Sequence, residues 1–224
     1  MKNAHPDRPN ISLIAASVSL IMAGGALVCL ASLHFLSPEF DPSWRVVSEY
    51  ALGSYGWVLS LMFLAWAISS WSLGLAICSQ VKTLSGRIGL IFLATAGVGE
   101  ALAAGFDVTW PMLHGLAALL GVPTLPIAAT LISVSLGSTE AWAAAKKRLI
   151  WTAALTWMSL SLMAAAMFTL KGRIAGVQVQ IGWPNRLLIV TYTFWAMSVA
   201  LEAIRLRITV SRPLYQQTLE KKVT

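Results

Sequence analysis

Six stretches of the chain are each long and apolar enough to cross a bilayer as a helix, which takes about 20 mostly apolar residues. They run roughly over residues 11–36, 55–79, 88–106, 111–136, 149–170 and 187–204. The breaks between them carry the Pro, Gly and charge signals of turns. None of the stretches alternates with the period of two that a barrel strand requires. The predicted fold class is therefore all-α: a polytopic membrane bundle of six transmembrane helices. It forms one domain over residues 1–204, followed by a basic tail over residues 205–224. Composition agrees, since charged residues are 11% of the chain and hydrophobic ones 57%. An ordinary soluble domain carries about 25% charge. Lys2 and Arg8 precede the first stretch as they would a signal peptide, but it is too long for a signal core and lacks a clean cleavage site. It is read as a retained helix.

The basic residues orient the bundle. With both termini cytoplasmic, twelve of the sixteen Lys and Arg fall inside: Lys2, Arg8, Lys82, Arg87, Lys146, Lys147, Arg148, Arg205, Arg207, Arg212, Lys221 and Lys222. Only Arg45, Lys171, Arg173 and Arg186 fall outside. The net charge of +7 then faces anionic lipid at the inner surface. Membrane lipids are the expected partners. A nucleic-acid role is not expected, because the cations are spread over separate segments. Trp44, Trp57, Trp110 and Trp183 are expected at the outer boundary and Trp142 and Trp151 at the inner one, as an aromatic belt. Trp66, Trp71, Trp157 and Trp195 lie deeper and are expected to fill space between helices. Cys29 and Cys78 fall on opposite sides and should not pair.

Most candidate chemistry is on the outer side. Glu100 is inside the third span, where a charge costs about 2.5–3.5 kcal/mol and usually meets protein or water. Ala96, Gly97, Gly99, Ala103 and Ala104 around it would let a neighbouring helix approach closely. Asp107 follows seven residues later, so a continuous helix would align the two carboxyls on one stripe. The alternative is a neutral Glu100 hydrogen-bonded across a helix interface. His114, just after Pro111, should lie near Asp107 across a tight hairpin. With His34 at the outer end of the first span, Asp107 and His114 make a candidate metal set, though without a diagnostic spacing. Ser48, Glu49 and Tyr50 precede the second span. Ser48 is expected to cap that helix, with Glu49 at its positive end. Arg186 is expected to begin the sixth helix, as the cation nearest this acidic group, where it would neutralise it or hold a lipid phosphate. Pro123 and Pro126 should kink or unwind the fourth span. No sequence motif identifies a cofactor: Gly-rich phosphate loop, Cys-x-x-Cys, His-Glu-x-x-His and Gly-x-Ser-x-Gly are all missing.

Asp41-Pro42, the run from Val47-Ser48-Glu49-Tyr50 to Gly56-Trp57, His114-Gly115 and Gly182-Trp183-Pro184-Asn185-Arg186 together resemble the bacterial domain-of-unknown-function 998 family of six-helix membrane proteins. More distantly the chain is similar to the Frag1/DRAM group, with Val-Ser-Glu where that group has Ile-Ser-Asp. The resemblance implies a multi-pass protein of the bacterial cytoplasmic (inner) membrane and supplies no reaction.

The preferred reading is an integral membrane protein that binds a lipid or small amphiphile in an outward-facing polar pocket. Glu49, Tyr50, Glu100, Asp107, His114 and Arg186 are its candidate residues. The alternative is a membrane-embedded, metal-dependent lipid hydrolase or transferase using His34, Asp107 and His114. A proton-coupled transporter titrating Glu100, or an assembly factor, is the third.

Overall fold

The computed structural model describes residues 12–168, 173–174, 177–178 and 180–223, with side chains over 12–168 and 180–209. Lys2, His5, Arg8 and Lys171, and the side chains of Arg173, Arg212, Lys221 and Lys222, lie outside the described residues.

Among the described residues, seven α-helices make six membrane-length spans: α1 (Leu13–Leu36), α2 (Gly56–Ile77), α3 (Leu84–Gly105), α4 (Pro111–Gly121) with α5 (Thr124–Gly137), α6 (Lys146–Phe168) and α7 (Gly182–Val223). Short 3-10 helices, Val47–Leu52 and Glu140–Ala145, precede α2 and α6. A two-residue antiparallel pair, Arg173–Ile174 with Val177–Gln178, lies between α6 and α7. Each helix packs on its neighbour in order, with α5 on α3 and α6, and α7 closing the ring on α1. α7 also touches α2, and 67% of its most apolar stretch is buried, the largest share of any span.

Helix ends follow local chemistry. Ser12 caps α1 by accepting from the Ala15 amide at 3.3 Å. Thr83 caps α3 by accepting from Gly86 at 3.1 Å, so this span begins at Leu84 and not near residue 88. The fourth span breaks at Val122–Pro123, as its prolines predict. Pro126 has no N–H for the Val122 carbonyl one turn earlier. The Tyr192 hydroxyl of α7 donates to that carbonyl instead, at 2.8 Å. The Thr124 hydroxyl donates to the carbonyl of Leu120.

Small polar pairs join the spans: Ser19 with Ser69 at 3.2 Å, Ser159 with Thr191 at 2.7 Å, and Trp195 Nε1 to Ser133 at 3.0 Å. Such bonds hold helices together where lipid offers no hydrophobic drive. Trp44, Trp57, Trp110, Trp151 and Trp183 are exposed, as a belt requires, but Trp142 is fully buried in the second 3-10 helix. Trp66 and Trp195 fill the interior. Trp71 and Trp157 are partly exposed and donate to the Ala94 carbonyl and the Thr130 hydroxyl. The cysteines are both free.

Two local expectations are corrected. Ser48 does not cap α2. It is the second residue of the 3-10 helix Val47–Leu52, and α2 begins after Tyr55 with no side-chain cap. Nor does Arg186 begin the last helix, because α7 starts at Gly182, whose amide donates to the Ser43 carbonyl at 3.0 Å. Arg186 therefore sits one turn inside α7.

Candidate functional site

The residues singled out in the sequence fall into three places. The first is a knot at the expected outer end, where residues 37–55 dock on the start of α7. Gly182 permits the docking. A Cβ there would overlap the Pro42 carbonyl oxygen and come within 2.8 Å of that of Arg45. Trp183 Nε1 donates to the Ser43 hydroxyl at 3.2 Å, and Asn185 Oδ1 accepts from the Val47 amide at 2.7 Å. Asp41 shapes the approach by accepting from the Ser43 amide at 2.8 Å.

Arg186 is the centre of the knot and is 4% exposed. Its Nε donates to His34 Nε2 at 2.9 Å. Its Nη1 donates to the carbonyls of Arg45 at 2.7 Å and Gly182 at 3.1 Å, and its Nη2 to the Tyr50 hydroxyl at 3.0 Å. The guanidinium carbon lies 5.5 Å from the centre of the Tyr50 ring, which is fully buried. These acceptors are all neutral. His34 Nδ1 faces the Leu30 carbonyl at 2.7 Å, which can only accept. The proton therefore sits on Nδ1, and Nε2 is left as the acceptor for Arg186. Glu49 does not reach the guanidinium in this arrangement. It pairs with Arg45 at 3.3 Å on the rim.

The second place is the turn between α3 and α4. Here the expected carboxyl stripe is corrected, because α3 ends at Gly105 and Phe106 is extended. Asp107 accepts from the Thr109 amide at 2.8 Å and the Thr109 hydroxyl at 2.5 Å, a local turn that competes with continuing the helix. His114 Nδ1 lies 3.0 Å from the Phe106 carbonyl and so caps the end of α3. The hairpin does bring His114 near Asp107, as expected. The Thr109 hydroxyl, then its amide, and to a smaller extent His114, hold the Asp107 carboxyl below the usual aspartate range.

That shift has a pH consequence. A carboxylate whose pKa is depressed on folding contributes stability above its unfolded value, near 3.9. The contribution is lost as pH falls through the lower, folded value. The Thr109 amide should keep its exchange protection, corrected for intrinsic rate, from pH 7 to 5 and lose it only in stronger acid. Asp107→Asn, which keeps an acceptor but no charge, should make the turn insensitive to acid. Hydrogen exchange by NMR reads both, and protection that changes between pH 7 and 5 would refute this account.

The third place is Glu100, which is 4% exposed. Its Oε2 accepts from the Ser70 hydroxyl of α2 at 2.8 Å, and its Oε1 has no partner among the described residues. Trp66 lies one turn from Ser70 on the same face of α2. It is 5% exposed, and its Nε1 also lacks a partner. Trp66 packs between Phe63 and Tyr192, and Tyr192 is the residue that braces the break in the fourth span. Gly121, which ends α4 at that break, packs on the backbone of Gly99 and Glu100. Ser70 and Tyr192 were not singled out from sequence, and Trp66 was expected only to fill space between helices. Only their polar groups at mid-span depth signal them.

At the opposite end Glu202 of α7, also missed, is 9% exposed. It pairs with Arg148 of α6 and lies 3.7 Å from Arg205. The proposed metal set is not assembled. Among the described residues no group of three His, Cys, Asp or Glu is placed to hold a metal ion. Both His34 nitrogens already have partners, Leu30 and Arg186.

No curated protein and no solved structure matches the chain. A family described as a protein of unknown function, DUF998, matches residues 20–202. The match takes in the 37–55 loop, the Glu100 span, the α3–α4 turn and Arg186. With its membrane-length helices and its loop-to-α7 knot, the chain belongs to the DUF998 family.

Proposed function

We propose that this is a multi-pass protein of the bacterial cytoplasmic membrane that binds a lipid or small amphiphile, with the ligand's polar group at Glu100. One observation carries the reading: a buried carboxyl in a membrane span has an oxygen without a partner among the described residues, and the Ser70 hydroxyl that donates to its other oxygen lies one helical turn from Trp66, whose indole N–H is also unpartnered there. A stranded polar group of this kind costs about 1–3 kcal/mol, and a bound molecule that meets it recovers that energy. Glu100 is five residues from the end of α3, about 8 Å below the expected outer surface. A ligand entering from the outer side would therefore reach it past the Asp107–His114 turn. In this reading the Arg186–Tyr50–His34 knot braces α1, α7 and the outer loop, and Glu49 lies on its rim. Four of the five Arg186 N–H donors are spent within the protein, which favours bracing over capture of a lipid phosphate.

Native mass spectrometry of the protein released from detergent tests the reading. Wild type is expected to carry a defined lipid that Glu100→Leu loses, while circular dichroism shows both folded. A folded Glu100→Leu protein with unchanged lipid content would refute it.

A further inference from the structure

We infer that the knot of Arg186 and His34 is an acid-operated latch: a proton taken up by His34 releases residues 37–55 from the start of α7. The inference stands apart from the reading of Glu100.

The direction of each bond carries it. His34 is fixed at both ring nitrogens. Nδ1 lies 2.7 Å from the Leu30 carbonyl, which can only accept, and Nε2 lies 2.9 Å from Arg186 Nε, which can only donate. The neutral ring with its proton on Nδ1 satisfies both. A second proton would go on Nε2 and face the N–H of Arg186. An acceptor then becomes a donor, and an imidazolium meets a guanidinium at hydrogen-bond distance. Neither side turns away with its bonds intact. Rotating the ring gives up Leu30, and Arg186 is held by the Tyr50 hydroxyl and the Arg45 and Gly182 carbonyls. Arg186 is buried, so solvent ions screen the repulsion poorly. His34 is only partly buried, so a proton has access.

No ion pair to His34 offsets a second charge among the described residues. From α7 the charged group that faces it is Arg186. From the 3-10 helix it is met by Tyr50, whose ring centre lies 6.0 Å from its own. On the same helix Glu49 pairs with Arg45 on the rim. In the loop Asp41 accepts from the Ser43 amide, and Glu39 lies beside Gly53. α2 carries no charged residue. The other titratable group of α1 is Cys29, a neutral thiol at pH 7 and below.

Two amides report the latch. Val47 N–H donates to Asn185 Oδ1 at 2.7 Å and Gly182 N–H to the Ser43 carbonyl at 3.0 Å, so both bonds join the loop to α7. Their hydrogen exchange is followed by NMR on the full chain in dodecylmaltoside micelles. A released histidine takes up its proton at about pH 6.5, so protection of both amides, corrected for intrinsic rate, should fall about twentyfold from pH 7 to 5. The Thr109 amide, held by Asp107 in another turn, is the internal reference and should not change over that range. His34→Gln offers an oxygen to Arg186 but takes no proton, so its protection should be independent of pH. His114→Gln, at the other described histidine, should keep the wild-type fall. Val47 and Gly182 protection that does not change in wild type would overturn the inference. So would a fall that persists in His34→Gln or disappears in His114→Gln. Where His34→Gln does not fold by circular dichroism, the ring nitrogen shifts of wild-type His34 decide. The doubly protonated ring should appear only together with lost protection at Val47, and such a ring beside a fully protected Val47 would overturn the latch.

Discussion

Arg186→Met is expected to destabilise the detergent-solubilised protein by about 4 kcal/mol, and at this chain length that lowers the unfolding midpoint by about 10 °C. Two effects oppose each other. Removing a buried cation relieves its desolvation cost, which favours the variant. Removing it alone also leaves His34 Nε2, the Tyr50 hydroxyl and the Arg45 carbonyl without the donor they were arranged around. Charged networks are neutral or stabilising to replace only when every member is replaced, and costly when one is taken out. Three stranded acceptors at about 1–3 kcal/mol each outweigh the relief. Arg186→Lys separates charge from shape. Lysine keeps the charge but cannot present donors in a planar fork to His34, Tyr50 and two carbonyls at once. It should recover less than half of the loss. The His34 ring nitrogens provide a local check. Their chemical shifts should report the Nδ1–H tautomer in wild type and a change in the Nε2 signal in Arg186→Met. A midpoint unmoved by Arg186→Met, with His34 unperturbed, would show that the knot does not hold the loop.

This centre also marks what was legible in the sequence and what was not. The spans are legible because a bilayer imposes a length and polarity that few other folds share, and the proline break because a missing N–H has the same consequence anywhere. The role of Arg186 was hidden. Charge reasoning pairs a cation with the nearest acids, Glu49 and Asp107, whereas its partners are two carbonyls, a histidine and a tyrosine. Backbone carbonyls carry no sequence signature. The start of α7 at Gly182 was missed for a related reason, since the Ser43 carbonyl that receives its amide comes from a loop more than a hundred residues away in the chain. Asp107 misled in the opposite sense. A seven-residue spacing aligns side chains only while the helix continues, and the bonds from Asp107 to Thr109 belong to a turn. Glu100 was legible as a buried acid, but not the stranded indole of Trp66 one turn from its partner Ser70, because a tryptophan's partners depend on where its ring turns.

Gly99→Ala carries the second large effect, and here the sequence reading and the structure agree on the cause. The small residues around Glu100 predict a close helix approach, and Gly99 is where it happens. A Cβ there would overlap the Gly121 amide nitrogen and lie 2.7 Å from the Ala117 carbonyl oxygen and 2.8 Å from the Gly121 Cα. These are backbone atoms of α4, so no side-chain rotation relieves them and the helices must separate. Overpacking typically costs about 1–3 kcal/mol, and a contact with this much backbone belongs at the upper end. Gly25 in α1 supplies the control, because a Cβ there meets nothing within 4 Å. At that position alanine should stabilise the helix by up to about 1 kcal/mol. The two substitutions add the same methyl group to two spans and should move the unfolding midpoint in opposite directions. Gly99→Ala should also reduce retention of the lipid lost from Glu100→Leu, because Gly121 packs on the Glu100 backbone and moves with α4. Equal midpoints for the two variants would mean that α3 and α4 do not approach as closely as Gly99 implies, and the surroundings of Glu100 would need redrawing with them.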